Sequence, residues 1–204
     1  MSNISKYQAK LIIIGTVRTG KTCIFRRINT QEFYDEEVST SVPVNINKEY
    51  SHSKGTISFE IWDTAGQEKY HSVNRFFFKN SRVAILVYDI TNQDSFDAIT
   101  NIWLNELKNS CDYNNLILVV VGNKYDLLLN EVITEEMGEN LAKEIGALFF
   151  SVSAKENIGI QTMMEKITEV YFERGLHLKP ISEGEENEQI NLNKSKKQKK
   201  KKCC

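Results

Sequence analysis

Four consecutive apolar residues, Leu11 to Ile14, run straight into Gly15-Thr16-Val17-Arg18-Thr19-Gly20-Lys21-Thr22. A short continuous apolar run is how a strand buried on both faces of a parallel sheet reads. The eight residues after it follow the pattern glycine, four residues, glycine, lysine, hydroxyl, in which a glycine-rich loop leaves a strand and opens a helix. Such a junction turns backbone N–H groups, here those of Arg18, Thr19, Gly20, Lys21, Thr22 and Cys23, toward an anion, and the helix dipole favours its negative charge. Lys21 is placed to reach the β and γ phosphates of a nucleotide, and the Thr22 hydroxyl to bind Mg2+. The run therefore commits the chain to an α/β sheet with a phosphate site at a strand end, and leaves open which base the nucleotide carries.

The remainder of the sequence repeats the theme. Val83 to Val87, Leu116 to Val121 and Leu148 to Phe150 are short apolar runs separated by segments of helical character. Ile57, Phe59 and Ile61 alternate with Ser58, Glu60 and Trp62, which predicts a strand with one less buried face, paired in a hairpin with the segment from about Val44 to His52. Ile160, Met163, Met164, Ile167, Val170 and Tyr171 recur at helical spacing, with Gly175 as a stop, and Phe96, Ile99, Trp103 and Leu107 form another core-facing stripe. Thr134 followed by Glu135 and Glu136 predicts a capped helix start, and Gly146 closes that helix. The expected fold is a doubly wound, mostly parallel sheet with one antiparallel edge strand, its ligand site at the carboxyl ends of the strands.

The other chemistry-bearing segments fall at those ends. Asp63-Thr64-Ala65-Gly66-Gln67-Glu68 follows the strand ending at Trp62, where Asp63 can hold the magnesium shell, Gly66 can offer its N–H to a γ-phosphate and Gln67 can orient an attacking water. Asn123-Lys124-Tyr125-Asp126 and Ser153-Ala154-Lys155 each follow an apolar strand. A carboxylate at Asp126 can accept from the N1–H and 2-amino group of guanine; adenine has no such donors and would leave the charge unpaired. Four motifs in this chain order specify a guanine nucleotide, with GTP and GDP as the ligands.

With those residues in place, the stretch from about Ala9 to Arg174 resembles the Ras superfamily, which implies a Ras-like G domain. Trp62 to Glu68, Leu86-Val87-Tyr88-Asp89-Ile90-Thr91 and the terminal Cys203-Cys204 look like Rab proteins, and Phe59-Glu60-Ile61-Trp62 with Tyr70-His71-Ser72 leans toward the early-endosomal Rab group. The resemblance implies a GTPase switch whose partners are an exchange factor, a GTPase-activating protein, escort and GDI-like proteins, and effectors that read the switch loops. It also implies a switch threonine eighteen residues beyond Thr22, at Thr40, joining Mg2+ when GTP is present. In the same register Phe33 packs on the guanine face or, alternatively, anchors its loop in the core.

Two departures stand out. Val17 occupies a phosphate-loop position where relatives usually have a small residue, and its branched side chain would crowd Gln67 and an incoming arginine finger, so slow hydrolysis is expected. Arg18 beside it either brings charge to the γ-phosphate or points into solvent. In the first switch, Val42 stands where relatives have glycine and Pro43 restricts its neighbour, so partner choice should differ from that of ordinary early-endosomal Rabs.

Charge is segregated. Seven lysines lie between Lys194 and Lys202, and without them 19 basic residues face 27 acidic ones, which argues against nucleic-acid binding by the body. Residues 1–179 are expected to form the G domain and 180–204 a flexible tail ending in a basic cluster. Cys203 and Cys204 resemble the site of double prenylation, so two lipid chains plus the lysines would hold the protein on an anionic membrane surface. Cys23 and Cys111, the other two cysteines, suggest neither a disulfide framework nor a zinc site. The sequence shows no secretory signal or membrane span, and Ser2 is not the glycine that myristate needs. The expected location is the cytosolic face of endomembranes, endosomes among them, in exchange with the cytosol, and the expected state is a monomer.

Overall fold

The computed structural model describes residues 5–34, 44–64 and 77–178. Six strands form one sheet: β1 Lys6–Ile14, β2 Val44–His52, β3 Gly55–Asp63, β4 Ser81–Asp89, β5 Ile117–Asn123 and β6 Leu148–Ser151. Their spatial order is β2-β3-β1-β4-β5-β6. Only β2 runs antiparallel to its neighbour, pairing with β3 from Val44↔Asp63 to His52↔Gly55; every other pairing is parallel. This is the predicted sheet, with the antiparallel strand at one edge.

The burial of each strand follows its place. All nine residues of β4 and all seven of β5 are buried, as central strands covered on both faces require. In β3 buried and half-buried residues alternate without a break. At the far edge β6 is half-buried throughout, so the apolar run Leu148 to Phe150 is a strand but not one enclosed on both sides.

Helices cover both faces. Helix α1 (Lys21–Thr30) and the last helix, α5 (Ile160–Glu173), pack with Leu11, Ile13, Ile57, Phe59, Ile85 and Val119 into one core. On the other face Ile12, Ile14, Leu86, Tyr88 and Val120 meet α2 (Gln93–Ala98), α3 (Leu104–Ser110) and α4 (Glu135–Ile145). Between α2 and α3 the backbone widens into a π-helical turn, Ile99–Trp103, which leaves Thr100, Asn101 and Ile102 exposed while Ile99, Trp103 and Leu107 stay in the core. The caps form as expected: the Thr134 side chain accepts from the Met137 N–H at 3.3 Å, and Gly146 adopts φ 68° at the carboxyl end of α4. Among the described residues, no helix is long and apolar enough to cross a membrane.

This doubly wound arrangement gathers the carboxyl ends of β1, β3, β4, β5 and β6 on one side. The loops that follow them meet there.

Candidate functional site

The phosphate loop begins where β1 ends. A Cβ on Gly15 would lie 2.2 Å from the Val87 carbonyl oxygen of β4, so only glycine lets the chain leave the sheet this close to its neighbour. The loop then curls through two left-handed residues, Arg18 (φ 67°) and Gly20 (φ 88°). Its interior is closed by the Thr16 carbonyl, which accepts from the Lys21 ammonium at 2.7 Å and from the Thr19 hydroxyl at 2.9 Å. Both donors are buried. Helix α1 starts at once, and no side chain caps its N-terminus at Gly20, leaving the positive end of its dipole facing the loop's concavity.

The second wall is built around Asn123, the last residue of β5 and itself buried. Its Nδ2 donates to the Thr19 carbonyl at 2.8 Å, and its Oδ1 accepts from the Ala154 N–H at 3.1 Å. One side chain thus bolts the phosphate loop to the loop after β6. The approach is so close that a Cβ on Gly20 would fall 2.2 Å from Asn123 Nδ2. Next in the chain, Lys124 adopts a left-handed conformation and its ammonium pairs with Asp89 Oδ2 at 2.6 Å, while Tyr125 N–H donates to the Val152 carbonyl. Asp126 is exposed. One of its oxygens accepts from the buried Ser153 hydroxyl at 2.5 Å, and that hydroxyl in turn accepts from the Glu156 N–H. The carboxylate is therefore aimed by a buried serine yet open to a ligand.

Arg27 fastens a third group of predicted residues. From α1 its Nε donates to the Ala154 carbonyl at 2.7 Å and an Nη to the Lys155 carbonyl at 2.5 Å, and its guanidinium lies 5.5 Å from the ring centroid of half-buried Phe33. Phe33, Ala154 and Lys155 are thus brought to one wall beside Asp126. Arg18 and Val17 both lie exposed at the rim of the loop.

For the metal, Asp63 ends β3 and is buried, in register with Ile13 of β1, and the Thr64 hydroxyl donates to the Ile13 carbonyl at 2.8 Å. The predicted donors Thr22 and Asp63 both offer oxygen, which suits Mg2+. Among the described residues no three His, Cys, Asp or Glu side chains cluster as a self-sufficient metal site. Thr40, Gly66, Gln67, Val42, Pro43, Cys203 and Cys204 lie outside the described residues.

Three participants have no place among the predicted site residues. Asp89 figures in the sequence only as part of a resemblance, although it holds Lys124; its other oxygen accepts from Thr91 N–H and Oγ1. Thr16 acts through its carbonyl, which no side-chain pattern reports. Arg27 carries no motif signature, and its one hint is a basic residue in the last turn of a helix.

The sequence matches the model of the Ras family over residues 10–173. The human protein "Ras-related protein Rab-3D" is 36% identical over 169 residues, covering 82% of this chain and 76% of that protein. The rat "Ras-related protein Rab-3B" is 37% identical over 164 residues, covering 80% and 74%, and its bovine counterpart is 36% identical over the same length and shares. These relatives are Rab-3 proteins, so the early-endosomal leaning drawn from Phe59–Trp62 and Tyr70–Ser72 gains no support from them.

Proposed function

Because this chain belongs to the Rab branch of the Ras superfamily of small GTPases, we propose that it binds GTP and GDP with Mg2+ and hydrolyses GTP to GDP and phosphate. It then acts as a membrane-bound switch in vesicle trafficking. The observation that carries the reading is the Asn123 bridge, which joins a phosphate-shaped loop to a loop bearing an aimed carboxylate. A site that locks these two loops together reads both ends of one ligand.

In this mechanism the N–H groups from Arg18 to Cys23 wrap the phosphates and Lys21 reaches the β and γ positions. Thr22, Thr40 and Asp63 would hold Mg2+, which supplies charge neutralisation on the phosphate oxygens. Asp126 accepts from guanine, Phe33 covers its face, Lys124 lies beneath it, and Ser153, Ala154 and Lys155 close its far edge. Gln67 orients the attacking water, and the Gly66 N–H together with Thr40 reports the γ-phosphate to effectors. Cys203 and Cys204, prenylated, and the lysines before them place the switch on an anionic cytosolic membrane face, with exchange factor, GTPase-activating protein, GDI-like carriers and effectors as its partners.

The test is nucleotide identification in the purified protein together with GTP turnover. Bound GDP or GTP, displaced by GDP and not by ADP, is the expected result. An Asp126→Asn variant that still preferred guanine over xanthine would refute the base assignment. Membrane residence that survives a Cys203→Ser, Cys204→Ser double change would refute the lipid anchor.

A second reading rests on Val17, half-exposed at the rim of the phosphate loop. It makes the protein a GTP-loaded recruiter of effectors with little turnover. Single-turnover hydrolysis of the Val17→Gly variant separates the two: the recruiter reading expects acceleration of about tenfold or more, about 1.4 kcal/mol of barrier, and equal rates would exclude it.

A further inference from the structure

Among the described residues eleven large apolar side chains are exposed, and five of them, Leu127, Leu128, Leu129, Val132 and Met137, fall in one eleven-residue stretch. Leu129 is entirely exposed. The stretch covers a 3-10 turn, Tyr125–Asn130, and the first turn of α4. It is not a loose loop: Leu127 N–H donates to the Lys124 carbonyl at 2.7 Å, Glu131 N–H to Leu128, and both Val132 and Ile133 N–H to the Ile90 carbonyl. The leucines are held outward by a bonded backbone. Such a concentration of exposed apolar residues in one short stretch points to an interaction site.

Within the stretch itself the charged rim is of one sign. From Tyr125 to Ala142 there is no basic residue, while Asp126, Glu131, Glu135, Glu136 and Glu139 are acidic and exposed. An anionic lipid surface is repelled by such a rim. The complement is a segment with apolar side chains next to a run of cations. This chain contains one: Ile190-Asn191-Leu192-Asn193 followed by the seven lysines of Lys194 to Lys202.

We propose that residues 190–202 of this chain occupy the Leu127–Met137 face, Ile190 and Leu192 against the leucines and the lysines along the acidic rim. The chain length allows it. Leu178 follows His177, whose ring lies 5.2 Å from that of Tyr7 near the start of β1, so the described residues end at the pole opposite the face. Crossing strands of seven to nine residues takes about 30 Å, and the twelve residues from Leu178 to Ile190 span up to about 40 Å. Same-chain docking raises the effective concentration to roughly the millimolar range, so a contact with Kd of about 0.2 mM would be closed most of the time. The occupied face abuts Asp126, so docking also slows nucleotide release. Lysines engaged by an anionic leaflet are unavailable to the face, so membrane binding uncovers it.

The experiment compares amide hydrogen exchange of residues 127–137 in the full chain with that in a full-length variant carrying Lys194→Gln and the same change at Lys196, Lys197, Lys199, Lys200, Lys201 and Lys202. None of these positions lies among the described residues. Exchange about fivefold faster in the variant is expected from the concentrations above, with the same acceleration of the unchanged chain in 1 M NaCl, where charges are screened beyond about 3 Å. Leu128→Ser with Leu129→Ser should in turn speed exchange of residues 190–202, and phosphatidylserine vesicles should deprotect the face of the unchanged chain. Equal exchange in the chain and its glutamine variant overturns the proposal. So does protection that grows with protein concentration, which would make a second copy the donor, and so does protection of the face by the vesicles, which would make lipid the occupant.

Discussion

Replacing Asn123 by alanine removes the side chain that bonds the phosphate loop directly to the loop after β6. Two hydrogen bonds disappear, Nδ2 to the Thr19 carbonyl at 2.8 Å and Ala154 N–H to Oδ1 at 3.1 Å, and both residues left behind are buried. An unsatisfied buried polar group costs about 1–3 kcal/mol, so about 3 kcal/mol is a moderate expectation for the pair. For a domain of this size that corresponds to a fall in Tm of about 6–12 °C, at 2–4 °C per kcal/mol. Thermal melting at one fixed, saturating GDP concentration reads it, since ligand concentration itself shifts Tm. Asn123→Asp sharpens the test. It keeps an acceptor for Ala154 but sets a carboxylate oxygen against the Thr19 carbonyl oxygen, so it should be at least as damaging as alanine. A fall of under about 2 °C for alanine, or an aspartate variant as stable as the unchanged protein, would show that the bridge holds nothing together.

Arg27→Ala removes the donors to Ala154 and Lys155 and the cation beside Phe33, and should speed GDP release by about tenfold, roughly 1.4 kcal/mol, in a fluorescent-nucleotide chase. The Cys111 thiol donates to the Phe78 carbonyl at 3.0 Å, and burial, against the opposing pull of Lys10, pushes it up to about 12. The neutral thiol is thus favoured in the folded state: its contribution is complete below the unfolded value near 9 and is lost as pH rises toward 12. A Cys111→Ala variant should therefore lose stability less steeply than the parent between those limits, and iodoacetamide at pH 8 should label native Cys111 far more slowly than the denatured chain. In Gly138→Ala the new Cβ would meet Phe149 Cε2 at 2.3 Å and the hydroxyl of buried Tyr88 at 2.5 Å. Overpacking of about 1–3 kcal/mol should outweigh the gain in helix propensity of about 1 kcal/mol, giving a lower Tm; a rise would mean that the two rings move aside freely.

The sheet was legible because its strands are short apolar runs set between amphipathic helices, and the hairpin because Ile57, Phe59 and Ile61 alternate with more polar partners. The phosphate loop and the guanine segment were legible because their chemistry needs particular side chains at fixed spacing. What stayed hidden acts through the backbone or through contacts distant in sequence. The Thr16 carbonyl has no side-chain signature, and Arg27 meets Lys155 across 128 positions. The same limit applies to β6: Leu148-Phe149-Phe150 looks as apolar as a central strand, and only the sheet order makes it an edge. Burial on one face or two is decided by neighbours, which a local pattern does not contain.

The widened turn at Ile99–Trp103 amounts to one surplus residue absorbed inside a helix. Thr100, Asn101 and Ile102 all point outward, so losing any one of them would let the coil tighten to ordinary pitch while Trp103 and Leu107 keep contact with the sheet. Shortening the chain by one residue anywhere in α4 or α5 would instead rotate everything downstream by about 100°. Length variation among descendants of this chain should therefore collect at this turn, where the architecture already carries slack.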